Sequence, residues 1–247
     1  MLPAATKVSL ADILPMRAVF LQECNHQIRY NARHERGWTD SYRLTLDDAV
    51  VGYASVMGQE IADRDTLFEF YVVPTQRRHA SVLCRRLLDV AGVRWIECQT
   101  NDPILPALQW EFAEQISANK LLFEAGVTTE LAVPGATVRR RREDDDVFEH
   151  HAEPVGDFVV ERAGQVVATG GFLLHYNPPF ADLFMEVSPP HRRQGVGSYL
   201  IQELKRECYA AGRVPAARCD LTNAASRATL CKAGMRECGF MAMGRVR

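Results

Sequence analysis

Two arginines followed by two glycines form the clearest chemical motif of this sequence. Residues 184–200 read FMEVSPPHRRQGVGSYL, an apolar strand pattern, then two prolines, then Arg192-Arg193, then Gly195 and Gly197. The prolines end the strand because they lack a backbone donor, and the glycines allow a tight turn that brings amide N–H groups near a ligand. The helix predicted next directs its positive N-terminal end at this loop. The segment therefore predicts a site for a phosphate-bearing ligand, and a pyrophosphate suits it.

Two common phosphate-binding loops do not fit the spacing. No Gly-Lys-Ser/Thr follows the glycines, and Leu200 stands where a dinucleotide fingerprint has its third glycine. The pattern Arg192-x-x-Gly195-x-Gly197 instead resembles the Arg/Gln-x-x-Gly-x-Gly/Ala signature of the GNAT superfamily of acyl-CoA-dependent N-acetyltransferases. The loop taken alone also fits an ordinary strand-to-helix connection.

The residues downstream extend the resemblance to 156–247. Asn223 opens a second predicted helix that closes at Lys232-Ala233-Gly234-Met235, similar to the family's Asn-x-x-Ala and Lys-x-Gly-Phe pattern with Met in place of Phe. Asn223 also suits a helix N-cap, because its side chain can accept a bond from a backbone N–H. One residue could serve both roles.

The resemblance implies acetyl-CoA, or another short acyl-CoA, as the cofactor. An acceptor amine would attack the thioester directly. The residues implied to bind the cofactor are Val187, Arg192, Arg193, Gln194, Gly195, Val196, Gly197, Ser198 and Asn223. Glu186 is the first candidate for a general base, although a strand residue that faces solvent or pairs with an arginine is the alternative. The family's usual acid is a Tyr four residues before the closing glycine, where this chain has Leu230. Tyr199 is the proposed substitute, with Cys231 as a second and core packing as the alternative for both.

The first half repeats the second half weakly. Residues 67–74 and 76–78 parallel 183–189 and 191–193, but His79-Ala80-Ser81 replaces the glycine loop. We therefore expect two GNAT-like domains in tandem, a degenerate one over 1–138 and a cofactor-binding one over 139–247. The fold class is α/β in the broad sense, or α+β, with mixed, mostly antiparallel sheets flanked by helices.

Three further expectations concern the middle of the chain. Residues 118–125 are predicted to be the closing helix of the first copy, preceded by about fourteen extra residues around 103–114 whose role is unknown. The charged run at 139–146 is interpreted as a solvated loop. Too little chain follows it for the strand and two helices that open a typical GNAT domain, so the first domain is expected to help complete the acceptor site.

Composition sets the wider limits. The 247 residues are 47% hydrophobic and 24% charged, and no apolar run reaches the length of a membrane span, so we expect a cytoplasmic protein without membrane contact. The seven cysteines lack paired spacing, and His150-His151 is interpreted as a solvated pair, so no metal site is expected.

Residues 188–247 carry a net charge of +7 and the rest −9. A phosphorylated cofactor accounts for that charge without nucleic acid, because aromatic residues are not interleaved with the basic ones.

The leading functional hypothesis is transfer of an acetyl or short acyl group from CoA to a small-molecule or peptide amine, with a homodimer as a possible assembly. A non-catalytic acyl-CoA-binding or sensing protein is the first alternative, because the usual Tyr is missing. A tRNA-dependent aminoacyl transferase is the second, since tandem domains allow it.

Overall fold

The computed structural model describes residues 1–23, 27, 31–174 and 178–247, and they form two compact units. The first unit contains Met1–His26, Tyr30–Asn119 and Gly239–Arg247, and the second contains Gln27–Arg29 and Lys120–Cys238. The first unit thus includes the end of a strand that the chain supplies from outside the unit's main stretch of sequence.

The first unit is a mixed sheet with helices. Its strands in chain order are β1 (Pro3–Val8), β2 (Asp40–Leu46), β3 (Ala49–Met57), β4 (Thr66–Val72), β5 (Trp95–Gln99), the start of β6 (Ala113–Ala125) and the end of β12 (Met235–Val246). Its helices are α1 (Leu10–Glu23), α2 (Asn31–Glu35), α3 (Ala80–Ala91) and α4 (Leu105–Phe112). β1 to β4 are antiparallel neighbours, β4 and β5 are parallel, and residues 241–245 of β12 pair with β5.

The second unit repeats this plan. Its strands are the end of β6, β7 (Ala136–Arg140), β8 (Phe158–Arg162), β9 (Gln165–Leu173), β10 (Phe180–Val187) and β11 (Val214–Asp220), and its helices are α5 (Val196–Ala210) and α6 (Ala224–Lys232). β7 to β10 are antiparallel neighbours, β10 and β11 are parallel, and residues 120–124 of β6 pair with β11. The predicted fold class, with mostly antiparallel sheets and flanking helices, is confirmed.

The predicted amphipathic helix of the second unit supplies much of its core. Val196, Leu200, Leu204 and Cys208 recur every fourth residue and are all buried in one cluster that includes Phe158. This spacing puts all four on one helix face, which packs against β9 and β10. The packing fixes the start of α5 next to the end of β10.

The closing helix predicted at 118–125 is wrong. Residues 113–125 form β6, and its end pairs antiparallel with β11 from Ala216↔Glu124 to Asp220↔Lys120. Leu121, Leu122 and Phe123 are all buried, and such a short continuous apolar run fits a strand or a buried helix equally well. The helix of this region is α4, which occupies most of the segment that the sequence analysis regarded as an insertion.

The solvated loop predicted at 139–146 is also wrong in part. Residues 136–140 form β7 and pair with β8 from Ala136↔Arg162 to Arg140↔Phe158. The guanidinium of Arg139 reaches Glu161 on the neighbouring strand at 2.7 Å and Asp145 at 2.6 Å. Ion pairs across the strands therefore accommodate a charge run whose composition suggested a loop.

The ranges of the compact units differ from the expected domains 1–138 and 139–247. Residues 120–138 lie in the second unit because β6 and β7 complete its sheet, and residues 239–247 lie in the first because β12 pairs with β5.

No helix in the described ranges is both long and apolar enough to cross a membrane. Of the cysteines, Cys84, Cys98, Cys208 and Cys219 are buried, whereas Cys24 lies outside the described residues.

Candidate functional site

A cleft opens in the second unit where two parallel strands separate. β10 and β11 pair only from Phe180↔Val214 to Asp182↔Ala216, after which each continues along a different neighbour, β9 or β6. The resulting cavity has a volume of about 310 Å³. Its lining residues are mostly polar or charged: Lys120, Glu153, Leu173, Asp182, Leu183, Phe184, Arg218, Cys219, Asp220, Asn223 and Ser226. We call this cavity the cleft.

The predicted phosphate loop follows β10 directly. After a single 3-10 turn at Pro189–His191, Gly195 adopts a φ of +82° and is the N-cap of α5. Only glycine adopts this φ without strain. The Tyr199 N–H donates to the carbonyl oxygen of Gly195 and so closes the first turn of α5. No side chain in the described structure caps this helix end. The first-turn N–H groups and the helix dipole therefore favour an anion here, and phosphate binding by this loop remains a prediction.

The polar residues before Gly195 hold the loop in place. Arg192 Nε donates to the carbonyl oxygen of Val187 at 2.9 Å. Gln194 donates to the carbonyl of Pro190 at 3.0 Å and accepts a bond from Arg162 at 2.7 Å. Arg193 is exposed at a φ of +60°. Arg192 and Gln194 thus fix the loop's backbone with part of their polar groups, and the exposed cations keep the loop positive.

Val196, Gly197 and Ser198 form the buried first turn of α5. All three are buried, so a ligand can meet them only through backbone N–H groups. A Cβ on Gly197 would lie 3.2 Å from both Met185 Cε and Thr229 Cγ2. This glycine therefore allows α5 to pack closely on β10 and α6, which places the helix end beside the cleft strand.

Sequence analysis missed Lys232 as a candidate phosphate ligand. Its Nζ lies 3.8 Å from the position that a Cβ of Gly195 would occupy, so an exposed ammonium group stands beside the loop. Lys232 was noted only as part of the pattern that closes α6. The Lys-x-Gly pattern at the end of α6 singles out Lys232 in the sequence, but the distance between Lys232 and Gly195 depends on how α6 packs on α5.

Asn223 caps α6. Its side-chain oxygen accepts a hydrogen bond from the Ser226 N–H at 3.0 Å, which confirms the N-cap alternative. Asn223 and Ser226 also line the cleft. The contact between Asn223 and a cofactor remains a prediction.

Asp182 is a buried carboxylate in the wall of the cleft. It is only 7% exposed, and Arg218 Nε lies 3.3 Å from its Oδ2. Its Oδ1 is buried and has no hydrogen-bond partner in the described part of the chain. Burial raises the pKa of Asp182 to about 6, Arg218 lowers it in part, and Glu153 raises it further. An unpaired carboxylate oxygen with a pKa near neutrality can accept a proton.

Glu186, the base candidate from the sequence, is held by a turn of the backbone. The N–H groups of His151, Ala152 and Glu153 donate to its carboxylate at 3.3, 3.0 and 3.0 Å. Burial favours the neutral acid, but these three donors and His150 outweigh it and lower the pKa of Glu186. Its role as a base remains a prediction, and the geometry suits an anchor for residues 151–153.

The expected solvated histidine pair is wrong for His150. Its side chain is only 8% exposed, whereas that of His151 is 64% exposed. The His150 ring stacks on Phe148 with centroids 4.7 Å apart and hydrogen bonds to the Thr169 hydroxyl at 3.1 Å. No cluster of three or more metal-ligating side chains occurs in the described ranges.

Two models of known protein families match this chain. A model described as the acetyltransferase (GNAT) family matches residues 127–235, and one described as an acetyltransferase (GNAT) domain matches residues 9–126. Together they match most of the chain. It belongs to the GNAT acetyltransferase family, with two GNAT domains in tandem. No curated protein sequence matches the chain.

Solved structures confirm the tandem GNAT fold at low sequence identity. A GNAT-family acetyltransferase from Colwellia psychrerythraea matches with a TM-score of 0.73 and 13% identity, covering 98% of this chain and 99% of the other. A tandem GNAT protein of the clavulanic acid biosynthesis pathway, solved without AcCoA, matches with a TM-score of 0.62 and 10% identity, covering 99% and 98%. These identities support the fold alone.

The acid candidates of this GNAT protein lie in different surroundings. Tyr199 is partly buried against the core of the second unit. Leu230, at the position of the family's Tyr, is 3% exposed in the same core. Cys231 is exposed, with its Sγ 4.0 Å from Glu237. The assignment of Tyr199 as the acid remains a prediction.

The first GNAT unit has the same strand plan without the anion site. β4 and β5 pair only at Thr66↔Trp95 and Leu67↔Ile96, and Arg77 Nε donates to Val72 O at 3.3 Å, as Arg192 does to Val187. A 3-10 helix at Pro74–His79 leads straight into α3, however, with the Ala80 N–H bonded to Arg77. This unit has no glycine loop at the corresponding place, which agrees with a degenerate copy.

The buried acid of the first unit is fully paired. Glu69 on β4 receives two bonds from Arg17, at 2.8 and 2.9 Å, and further bonds from Tyr53 at 3.1 Å and His34 at 3.2 Å. Glu69 therefore acts as part of a buried ion-pair cluster. Glu69 thus differs from Asp182, which keeps one oxygen unpaired in the described part of the chain.

Proposed function

We propose that this protein transfers an acetyl or other short acyl group from a CoA thioester to a primary amine, using the cleft of the second unit. One observation carries the proposal: the first turn of α5 packs on Met185 of β10, and Asp182, with its unpaired Oδ1, lies three residues earlier on the same strand. A phosphorylated acyl donor and a group that takes up a proton are the two requirements of this reaction.

The loop residues fit the diphosphate of CoA. The N–H groups of Val196, Gly197 and Ser198 are available at a helix N-terminus, and the cations of Arg192, Arg193 and Lys232 add positive charge. Acyl-CoA supplies an activated thioester carbonyl when it is bound. The separation of β10 from β11 leaves backbone groups of both strands free to orient the ligand in the cleft.

Asp182 would remove the proton that the amine loses on acylation. An alkyl ammonium has a pKa near 10, so the amine arrives protonated and must be neutralised before it attacks. The pKa of Asp182, raised by burial to about 6, leaves this carboxylate ionised at neutral pH yet more basic than an exposed Asp. The unpaired Oδ1 would accept the proton, and Arg218 on Oδ2 would stabilise the carboxylate.

The non-catalytic alternative is favoured by one observation. Leu230 is an apolar core residue at the position where the family commonly has a Tyr, so this chain lacks the usual donor of a proton to the leaving thiolate. Solvent can protonate a released CoA thiolate, which keeps turnover possible. A protein that only binds acyl-CoA would need the anion-binding loop before α5 but no carboxylate that accepts a proton.

The experiment is calorimetry of the full chain with acetyl-CoA, followed by detection of free thiol in the presence of a panel of primary amines. Binding and an amine-dependent release of thiol are expected, with loss of the release in Asp182→Asn. Binding without release for any amine would favour the sensing alternative, and absence of binding would refute the proposal.

A further inference from the structure

The cations and the acids that line the cleft differ in how fully they are paired. Its two cations are engaged, Arg218 with Asp182 at 3.3 Å and Lys120 with Asp220 at 2.5 Å. Asp182 Oδ1 remains without a partner, and no ion pair to Glu153 occurs among the described residues. The cleft therefore offers two acidic positions to a ligand and no uncommitted cation.

Glu153 is held in the cleft wall by Glu186. The carboxylate of Glu186 accepts the N–H groups of three consecutive residues, 151–153. His150 adds a second fixation, because its Nδ1 lies 2.9 Å from the carbonyl oxygen of Glu153 and its Nε2 lies 3.1 Å from Thr169 Oγ1. Glu186 stands on β10, the strand that also carries Asp182, so the turn and the base share one rigid support.

Neighbouring charges act on both acids. Burial raises the pKa of Glu153, Arg218 and Lys120 lower it in part, and the carboxylate of Glu186 raises it. Burial raises the pKa of Asp182, Arg218 lowers it in part, and the nearby charge of Glu153 raises it further. Lost hydration and a neighbouring carboxylate therefore disfavour the ionised form of each acid. A bound cation would oppose both effects, whereas a ligand carboxylate would add a further negative charge.

We propose that the acceptor carries a second positive charge, with its reacting amine at Asp182 and its second cation at Glu153, and that Glu186 is the positioning residue that sets the location of Glu153. The inference rests on the proposed acyl transfer and names the acceptor class as diamines or amines with a further cationic group. Zwitterionic amino acids fit poorly, because both cleft cations already have carboxylate partners.

Three probes of similar chain length test the inference: putrescine, butylamine and γ-aminobutyrate, whose far ends are positive, neutral and negative. With the full chain and acetyl-CoA, kcat/KM from thiol release should be about two- to fivefold higher for putrescine than for butylamine, as expected for one exposed ion pair, and lowest for γ-aminobutyrate. Glu153→Gln should reduce the ratio of putrescine to butylamine to near one through KM. The matched control is Glu149→Gln, since Glu149 lies on the same segment with its side chain 84% exposed, and it should keep the ratio.

Calorimetry separates the failure of this inference from failure of the proposed function. If acetyl-CoA does not bind the wild type, the proposed function fails. If acetyl-CoA binds but butylamine or γ-aminobutyrate is used as well as putrescine, or Glu153→Gln keeps the preference, the acceptor class is refuted alone. If no probe is acylated, putrescine is titrated into the protein with CoA bound: binding that Glu153→Gln abolishes supports the inference, and absence of binding overturns it.

Discussion

Arg218 Nε contacts one carboxylate oxygen of Asp182, Oδ2, at 3.3 Å and leaves the other, Oδ1, buried and without a hydrogen-bond partner among the described residues. The pair joins the two strands, β10 and β11, just at the point where their parallel pairing ends. A carboxylate with an ion pair on just one of its oxygens stays ionised at neutral pH. Its other oxygen still has a lone pair that can accept a proton. This asymmetry distinguishes Asp182 from Glu69 of the first unit, whose oxygens are all engaged.

Asp182→Asn should lower kcat by about 100- to 10,000-fold, the usual contribution of a general base, with little change in acetyl-CoA affinity. In the wild type, kcat/KM should fall as the pH is lowered through about 6, because protonation of Asp182, opposed by Arg218 and favoured by Glu153, removes the base. The variant should lose this limb of the pH profile. Rates of thiol release across pH 5 to 8 measure both; an unchanged acidic limb in the variant would contradict the assignment.

Asp182→Asn should also change the pH dependence of stability. Burial raises the pKa of Asp182 to about 6 in the folded protein, above its value in the unfolded chain. The favourable contribution of the protonated acid is therefore complete below pH 4 and is lost as the pH rises through 6. Relative to wild type, the variant should gain up to about 3 kcal/mol of unfolding free energy between pH 4 and 7. Parallel urea titrations give this difference, and an unfolding free energy of the variant minus that of wild type that falls with rising pH would have the wrong sign.

Gly195→Asp should abolish CoA binding while the fold persists. The substitution places a carboxylate at the helix end that favours anions, beside Lys232, and it adds backbone strain of about 1 kcal/mol because of the positive φ. Gly212→Asp is the matched control, since Gly212 has a φ of +71° just beyond the other end of α5, with open space around it. Calorimetry should show binding in the control and none in Gly195→Asp. His79→Asp in the first unit should also bind normally.

Lys232→Ala should weaken acetyl-CoA binding by about tenfold, or ~1.4 kcal/mol, as expected for one charge-assisted contact to a phosphate. The loss should shrink at high salt, because the contact is exposed and screened. Arg227→Ala is the control on the same helix, where the guanidinium is paired with Glu237 at 2.6 Å. Equal losses in both variants would show that general positive charge, rather than the position beside Gly195, attracts the cofactor.

The phosphate loop could be predicted from sequence because its determinants are local. Pro189, Gly195 and the four-residue spacing from Val196 to Cys208 determine a strand end, a turn and a helix within one short stretch, and the structure has all three. The resemblance of the two halves was also visible, since Arg77 and Arg192 occupy the same place and make the same bond.

The remaining features depend on pairing between residues far apart in sequence. Leu121 to Phe123 form a strand because β11 lies beside them, and residues 239–246 join the first unit because β5 does. Strand alternation puts Asp182 on the same face of β10 as Glu186, but only the divergence of β10 from β11 opens a cavity at Asp182. The turn that occupies Glu186 comes from residues 151–153, more than thirty positions earlier.

Glu186→Gln decides between the two roles of Glu186. If Glu186 positions the turn at 151–153, the variant should lose about 1–3 kcal/mol of unfolding free energy, because an amide can accept only part of the three N–H bonds that the carboxylate accepts. Backbone N–H donors outweigh burial and lower the pKa of Glu186, so its stabilising effect should be present above the pKa of the unfolded chain and lost as the pH falls through the folded value. The acidic limb of kcat/KM set by Asp182 should persist in the variant, and KM for putrescine should rise more than kcat falls. Glu186→Asp, which keeps the charge, should restore part of both losses. A stable Glu186→Gln variant that loses the acidic limb and most of kcat would instead establish Glu186 as the base.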